Sequence, residues 1–172
     1  MAREEYILDA QGKNLVRILP KSWRNFRGLD TKYSRGKIFF NVAIEDSQLL
    51  KTLLDRGFNV KDYANKERPD EEPTHILKIT IKFNDFGPKI QQYVEGSGTP
   101  VTLDQDDIGM LDDADIMDCV IKIRPYDWTM ANGDKGVAAY LTELAVQIPQ
   151  DRFTEMTERF QNPIDGSDDL PF

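Results

Sequence analysis

The sequence is poor in the residues that disulfides, membrane anchors and most active sites require. Among 172 residues there is one cysteine and one histidine. A single thiol cannot form an internal disulfide, which fits a reducing compartment such as the cytoplasm. No run of about 18 apolar residues is present, and the opening MAREEYILDAQGK has no apolar stretch of the kind a secretory signal needs. We therefore expect a cytoplasmic protein with no membrane partner.

Residue types that carry catalysis or bind metals are few and scattered. Gly-rich phosphate loops and clustered zinc ligands are absent. Strand alternation places Cys119 among apolar neighbours, which favours a structural thiol over a nucleophile paired with His75. The acidic run 104–118 matches a calcium-binding loop at four of its positions. However, the apolar Ile108 occupies loop position five, where a calcium ligand is required. A solvated loop with a short helix is therefore favoured over a metal site. We predict a non-enzymatic protein with no cofactor and no metal.

The net charge hides two opposite segments. The formal net charge is −8 and the pI is about 4.7, which taken alone argues against a nucleic-acid-binding protein. However, residues 13–37 contain eight basic residues and one acidic residue, whereas residues 104–118 contain seven aspartates and no basic residue. The average therefore describes neither segment.

Hydrophobic periodicity predicts a mostly β protein. Alternation and turn residues predict strands over 14–19, 37–44, 74–83, 89–94, 118–128 and 137–148. One helix is predicted to begin at Asp46 or Ser47 and to end at Gly57, and a second over 152–160. We expect an antiparallel barrel or sandwich domain over 1–150, a short helix over 151–160 and a disordered acidic tail over 161–172.

Aromatic and basic residues are interleaved in residues 21–40, KSWRNFRGLDTKYSRGKIFF. Single-stranded nucleic acid requires this mixture, because cations pair with phosphates and flat rings stack on bases. The candidate DNA-binding residues in this segment are Lys21, Trp23, Arg24, Phe26, Arg27, Tyr33, Lys37 and Phe39. The alternative is a solvated basic hairpin whose aromatic side chains belong to the core.

A second basic and aromatic stripe lies on the predicted strand 118–128. Its polar face carries Lys122, Arg124, Tyr126 and Trp128. Pro125 offers an alternative, in which a bulge turns one of the two rings into the core. On a neighbouring strand, Lys78 and Lys82 extend the same predicted surface.

The last residues form a second candidate site. Asp165, Asp168 and Asp169 precede or adjoin Leu170-Pro171-Phe172. An apolar pocket on a partner would take Phe172 while a basic rim pairs with the carboxylates. The candidate partner-binding residues are Asp168, Asp169, Leu170, Pro171 and Phe172. The alternatives are a tail that competes with nucleic acid for the groove of its own domain and an inert solubilising end.

These motifs resemble a known family. The ending Asp168-Asp169-Leu170-Pro171-Phe172 is similar to the acidic tip of bacterial and phage single-stranded DNA-binding proteins. The body resembles the OB-fold single-stranded DNA-binding proteins of tailed bacteriophages over most of residues 15–150. The resembling segments are Asn25-Phe26-Arg27-Gly28, Gly36-Lys37-Ile38-Phe39-Phe40-Asn41-Val42, Arg124-Pro125-Tyr126-x-Trp128 and Gly136-Val137-x-Ala139-Tyr140-Leu141.

The resemblance implies an OB-fold that coats single-stranded DNA without strong sequence preference during phage replication, recombination and repair. It also implies recruitment of partner proteins through the tail, cooperative or homo-oligomeric assembly, and a location in the host cytoplasm. The long linker of the bacterial proteins is missing, so their tetrameric assembly is not carried over. The competing hypothesis is an acidic adaptor or nucleic-acid mimic that does not itself bind DNA. Stacking alone does not distinguish DNA from RNA.

Overall fold

A computed structural model describes residues 4–10, 16–20, 23–29, 36–64, 66–67, 70–84, 87–96 and 98–149. Within these residues one α-helix, α1 (Ser47–Arg56), and a 3₁₀ helix, Ile108–Asp112, accompany a single large sheet. The strands are β1 (Tyr6–Asp9), β2 (Val16–Ile18), β3 (Arg24–Asn25), β4 (Ile38–Ile44), β5 (Val60–Tyr63), β6 (Thr74–Ile81), β7 (Lys89–Val94), β8 (Val101–Leu103), β9 (Asp118–Thr129) and β10 (Lys135–Ile148).

The sheet is continuous across most of the chain. Its main path runs β1-β9-β10-β6-β4-β2, while β3 pairs with β4, β5 with β6, and β7 with both β10 and β8. Most pairings are antiparallel, but β10 runs parallel to β6 and to β7. The order brings β4, β6, β10 and β9, which are distant in sequence, side by side.

One face of the sheet covers the hydrophobic core, and we call the opposite face the outer face. In β4 the residues Phe40 and Val42 are fully buried, while in β9 the buried residues are Cys119, Ile121 and Ile123. Helix α1 closes the core side with Leu49 and Leu53. The alternate residues of these strands therefore line the outer face.

A bulge in β10 preserves this division along the longest strand. The pairing with β9 shifts between Leu141 and Glu143, so that odd-numbered residues before the shift and even-numbered residues after it face the core. The Thr142 hydroxyl donates to the Lys122 carbonyl at 3.0 Å. As a result Leu141 and Leu144 are both buried, and Tyr140 stays on the outer face.

Helix α1 begins and ends where its sequence predicts. The Asp46 carboxylate accepts a hydrogen bond from the Leu49 backbone N–H at 2.7 Å, and Gly57 ends the helix with a φ of 104°. That left-handed conformation favours glycine at the helix terminus. Arg56 donates to Asp127 at the far end of β9 and to Glu4, which ties the end of the helix to the sheet.

The mostly β fold class with its marked helix is confirmed. All six predicted strands are present. The strand 89–94 has the predicted bounds, and the other five differ at one or both ends. The two parallel pairings correct the expectation of a purely antiparallel sheet. The predicted OB-type closure stays a prediction, and the helix over 152–160 and the tail over 161–172 lie outside the described residues. No helix in the described part of the chain has the length and hydrophobicity that a membrane crossing requires.

Candidate nucleic-acid interface

A row of side chains crosses four neighbouring strands on the outer face. Phe39 of β4 pairs with Thr80 of β6, which pairs with Tyr140 of β10, which pairs in turn with Arg124 of β9. All four side chains are partly exposed. Strand alternation at each of the four positions therefore places two rings and a cation in one line across the sheet.

Aromatic rings continue this row along β9. The Tyr126 ring stacks on the Tyr140 ring with centroids 5.0 Å apart and planes 9° from parallel. Two residues further on, Trp128 lies opposite Gly136 on β10. Tyr126 is 49% exposed and Trp128 36% exposed. Pro125 therefore does not turn Tyr126 or Trp128 into the core, and both rings lie on the outer face.

Cations stand among these rings. The Lys78 ammonium lies 4.4 Å from the centroid of the Phe39 ring, and the Arg124 guanidinium lies 5.8 Å from that of Tyr140. Both separations are within the range of cation–π attraction. Partial burial, together with the nearby charges of Lys37 and Lys61, lowers the pKa of Lys78. Repulsion among these lysines is relieved when an anion such as a phosphate binds between them.

We call this surface the basic–aromatic face. It comprises Lys37, Phe39, Lys78, Arg124, Tyr126, Trp128 and Tyr140.

Two further rings flank the basic–aromatic face. Trp23 contacts Tyr63 edge to face with centroids 5.4 Å apart. Trp23 also packs on Ala43 and Ile76, a pair on the outer face next to Asn41 and Lys78 in the β4–β6 ladder. The candidate Trp23 is therefore partly buried, at the edge of the same surface.

A cleft of about 370 Å³ opens at the other end of the basic–aromatic face. Its lining includes Lys82, Lys122 and Arg124 as well as the carboxylates of Glu5 and Glu143. The Lys122 ammonium lies 3.4 Å from Glu143 and 3.8 Å from Glu5. The candidate Lys122 thus lies beside the face with its charge already paired.

Two candidates from the segment 21–40 are not available to a ligand. Phe26 is 1% exposed and stacks on Phe40 in the core, so its prediction as a stacking residue is wrong. The guanidinium of Arg24 donates to the carbonyls of Leu19, Leu111 and Ala114. Arg24 is therefore a structural residue, and its prediction as a phosphate ligand is corrected as well.

The acidic run packs against the basic segment and holds it by hydrogen bonds and an ion pair. The buried Asp112 carboxylate accepts from the backbone N–H groups of Phe26 at 2.6 Å and Arg27 at 3.1 Å. The Arg27 side chain pairs with Asp113 at 2.6 Å, and this hydrogen bond raises the pKa of Arg27. Because Asp112 is buried, the expectation that the acidic run is a wholly solvated loop is corrected. The candidate Arg27 is exposed, but its positive charge is paired with Asp113.

Two candidates and the tail cannot be placed. Lys21, Tyr33 and residues 150–172 lie outside the described residues. The candidates Lys37, Phe39, Arg124, Tyr126 and Trp128 are brought together on the outer face.

Tyr140 belongs to the basic–aromatic face, and Lys61 and Tyr63 lie beside it, although the sequence had not marked any of the three as a candidate. Tyr140 had a usable signal, since it alternates with the buried Val137, Ala139 and Leu141 and must face the other way. Lys61 and Tyr63 lie on the short strand β5, whose pattern of one partly buried and three exposed residues gives no alternation to read.

In the part of the chain that the structure describes, the thiol is buried and the imidazole is paired with a carboxylate. Burial is the main cause that raises the pKa of the Cys119 thiol to about 12, so it is a poor nucleophile. His75 lies 2.7 Å from Asp62 across the β5–β6 pair. No cluster of three or more metal-ligating side chains occurs among the described residues.

An exposed sheet face that combines aromatic rings with cations is the arrangement by which β proteins bind single-stranded nucleic acid. A family model described as a putative phage ssDNA-binding domain matches residues 4–166. The chain therefore belongs to the phage ssDNA-binding domain family. Among curated proteins no sequence matches the chain.

Three solved structures of phage proteins align with the chain. The C-terminally truncated single-stranded DNA-binding protein from bacteriophage Enc34 aligns with a TM-score of 0.50 at 12% identity, covering 86% of this chain and 87% of that one. The untruncated Enc34 protein aligns at 0.47 and 15% identity, covering 95% and 88%. Gp2.5, a single-stranded DNA-binding protein of bacteriophage T7, aligns at 0.40 and 9% identity, covering 91% and 95%.

Proposed function

We propose that this protein binds single-stranded DNA on the basic–aromatic face and coats it without strong sequence preference. The observation that carries the proposal is the row from Phe39 through Tyr140 to Arg124 across four strands, with Tyr126 stacked beside it. Bases stack on the exposed rings and phosphates pair with Lys37, Lys78 and Arg124. Every base has a π-face, so such contacts are sequence-tolerant.

A titration with dT oligonucleotides of graded length tests this proposal. We expect preference for single over double strands, quenching of tryptophan fluorescence, and affinity that falls steeply with salt. Tyr126→Ala should weaken binding roughly 5- to 100-fold, because stacking on one base contributes about 1–3 kcal/mol. Met110→Ala is the control, since Met110 is 46% exposed on the 3₁₀ helix and is not one of the residues that make up the basic–aromatic face.

Two results would contradict the proposal. Equal affinity for single and double strands at low salt rules out a stacking mode. Equal losses in Tyr126→Ala and Met110→Ala remove the basic–aromatic face as the site. Absence of any binding to nucleic acid supports the competing hypothesis of an acidic adaptor. A matched series of rU oligonucleotides measures the preference for DNA over RNA.

We further propose that the protein acts as a binding protein rather than an enzyme, in phage replication, recombination and repair in the host cytoplasm. Cooperative assembly along the strand follows the behaviour common to non-specific single-strand binders. Recruitment of replication or recombination proteins is proposed for Asp168, Asp169, Leu170, Pro171 and Phe172. Its support is chemical: two carboxylates precede a proline-stiffened apolar tip that fits a pocket with a basic rim.

A further inference from the structure

Gly136 faces Trp128 directly across the β9–β10 ladder. A Cβ added to Gly136 would lie 2.8 Å from Cε2 and 3.1 Å from Nε1 of the indole, and closer still to Cζ2. Three atoms along one side of the Trp128 ring system therefore occupy the space that any other residue would fill. The indole rests against the backbone of β10.

The backbone itself does not demand glycine here. Gly133 in the same hairpin has a φ of +95°, a left-handed conformation that favours glycine, whereas Gly136 lies outside that region. Glycine within a strand weakens the strand and often marks a close approach by another group. The Trp128 ring is the group that approaches Gly136, so the glycine provides space for it.

The next outer position of β10 is also a small residue. Residues 136 and 138 are glycine and alanine, and they pair with Trp128 and Tyr126. Small residues on β10 let the long side chains of β9 lie against the sheet. The atoms that a new Cβ would meet belong to a rigid ring, so the whole indole would have to rotate away.

We propose that Gly136 is a positioning residue: it fixes the Trp128 indole on the outer face and thereby sets how strongly Trp128 stacks on single-stranded DNA. This inference rests on the proposed function. An indole held in place before the strand arrives loses little side-chain entropy on binding. Replacing Gly136 by alanine leaves the ring in the protein but moves it from its place.

Gly136→Ala tests the inference, with Gly98→Ala as the matched control. A Cβ at Gly98 meets nothing within 4 Å, and Gly98 has no left-handed φ. Both variants are made in a Trp23→Phe background, so that Trp128 is the one tryptophan. We expect Gly136→Ala to change the Trp128 emission and near-ultraviolet dichroism of the DNA-free protein, and Gly98→Ala to leave both unchanged.

Binding to oligo(dT) completes the test. Trp128→Ala should weaken binding roughly 5- to 100-fold. Gly136→Ala should weaken binding in the same direction, by at least several-fold. In a Trp128→Ala background, Gly136→Ala should have no further effect, because its action passes through the ring.

The outcomes separate the two claims. If Trp128→Ala binds like the parent protein, the assignment of Trp128 to the site is wrong. If Trp128→Ala weakens binding while Gly136→Ala matches Gly98→Ala, the positioning role of Gly136 is wrong. The positioning role is also wrong if Gly136→Ala weakens oligo(dT) binding in the Trp128→Ala background, or if it weakens binding by misfolding the protein. In both cases the effect would not depend on the Trp128 ring.

Discussion

Lys78 combines several of the properties expected of a phosphate ligand. It is exposed on β6, it lies over the Phe39 ring, and its neighbours include Lys37 and Lys61. A phosphate between these lysines relieves their mutual repulsion and releases counterions from the strand. A base that stacks on Phe39 would place its own phosphate within reach of the same ammonium group.

Lys78→Ala should therefore weaken binding to oligo(dT) and reduce its salt dependence. For single strands the slope of log affinity against log salt should become shallower by about 0.7, the value for one phosphate contact. Lys51→Ala is the control, since Lys51 is exposed on α1 at the core side of the sheet. Titrations at four or five salt concentrations measure both slopes, and equal slopes for the two variants would remove Lys78 from the contact surface.

The buried Asp112 carboxylate stabilises the fold and does not belong to the basic–aromatic face. It is buried, and its two carboxylate oxygens accept from the backbone N–H groups of Phe26 and Arg27. Asp112→Ala leaves both donors without this partner and should lower the free energy of unfolding by about 2–4 kcal/mol. Urea denaturation measures the loss.

Asp106→Ala provides the comparison for Asp112→Ala within the same acidic run. The Asp106 side chain is exposed, and its removal should change the free energy of unfolding by less than about 0.5 kcal/mol. Similar losses in both variants would mean that the run contributes through its total charge and not through the buried carboxylate.

Sequence reasoning succeeded where a strand alternates and failed where contacts are distant. Alternation correctly placed Phe39, Arg124, Tyr126 and Trp128 on one side of their strands. Phe26 lies in a turn with no period to read. Its ring stacks on Phe40, and its backbone N–H donates to Asp112. Arg24 donates to Leu111. Asp112 and Leu111 lie more than 80 residues away, so no local pattern encodes these contacts.

The same contrast between local and distant signals separates helix α1 from the pairing of the strands. Its stripe of leucines, its cap and its terminal glycine are local signals, and they predicted both ends closely. The parallel pairing of β10 with β6 joins strands more than 50 residues apart and has no local signature. Yet that pairing is what brings Tyr140 beside Thr80 and so unites the two stripes that the sequence predicted separately.

Asp46→Ala should destabilise the protein without weakening its binding to DNA. The Leu49 N–H loses its acceptor, which costs about 1 kcal/mol and lowers the Tm by roughly 2–4 °C. Asp46→Asn retains a capping oxygen and should stay close to the parent protein. Calorimetry and oligo(dT) titration test both statements. A loss of affinity in Asp46→Ala alone would mean that α1 and the basic–aromatic face are coupled.

For the whole molecule, the distribution of charge is more informative than its sum. The net charge of −8 includes the acidic run, part of which is paired with Arg27 and part of which is structural. The cations of the basic–aromatic face come from the residue before β4, from β6 and from β9, so they are scattered in the sequence and meet only in the fold. A protein of negative net charge thus carries a face on which three cations lie among aromatic rings.

The acidic tail links this charge pattern to the proposed recruitment of partners. Deleting residues 165–172 removes Asp165, Asp168 and Asp169 together with Phe172. If the tail competes with DNA for the basic–aromatic face, the truncated protein should bind oligo(dT) at least as tightly as the full chain, with the largest gain at low salt. Recruitment of a partner should be lost.

Two full-length variants separate the effect of the tail's carboxylates from the effect of its apolar tip. Phe172→Ala should retain the affinity of the full chain for DNA while losing the partner, because the carboxylates remain and the pocket-filling ring does not. Replacing the three aspartates with asparagine should tighten DNA binding in the same way as the truncation. The measurements are oligo(dT) titrations at two salt concentrations and pull-down with replication proteins of the host. Weaker DNA binding after truncation would contradict competition, and retention of partners by Phe172→Ala would contradict recognition of the tip.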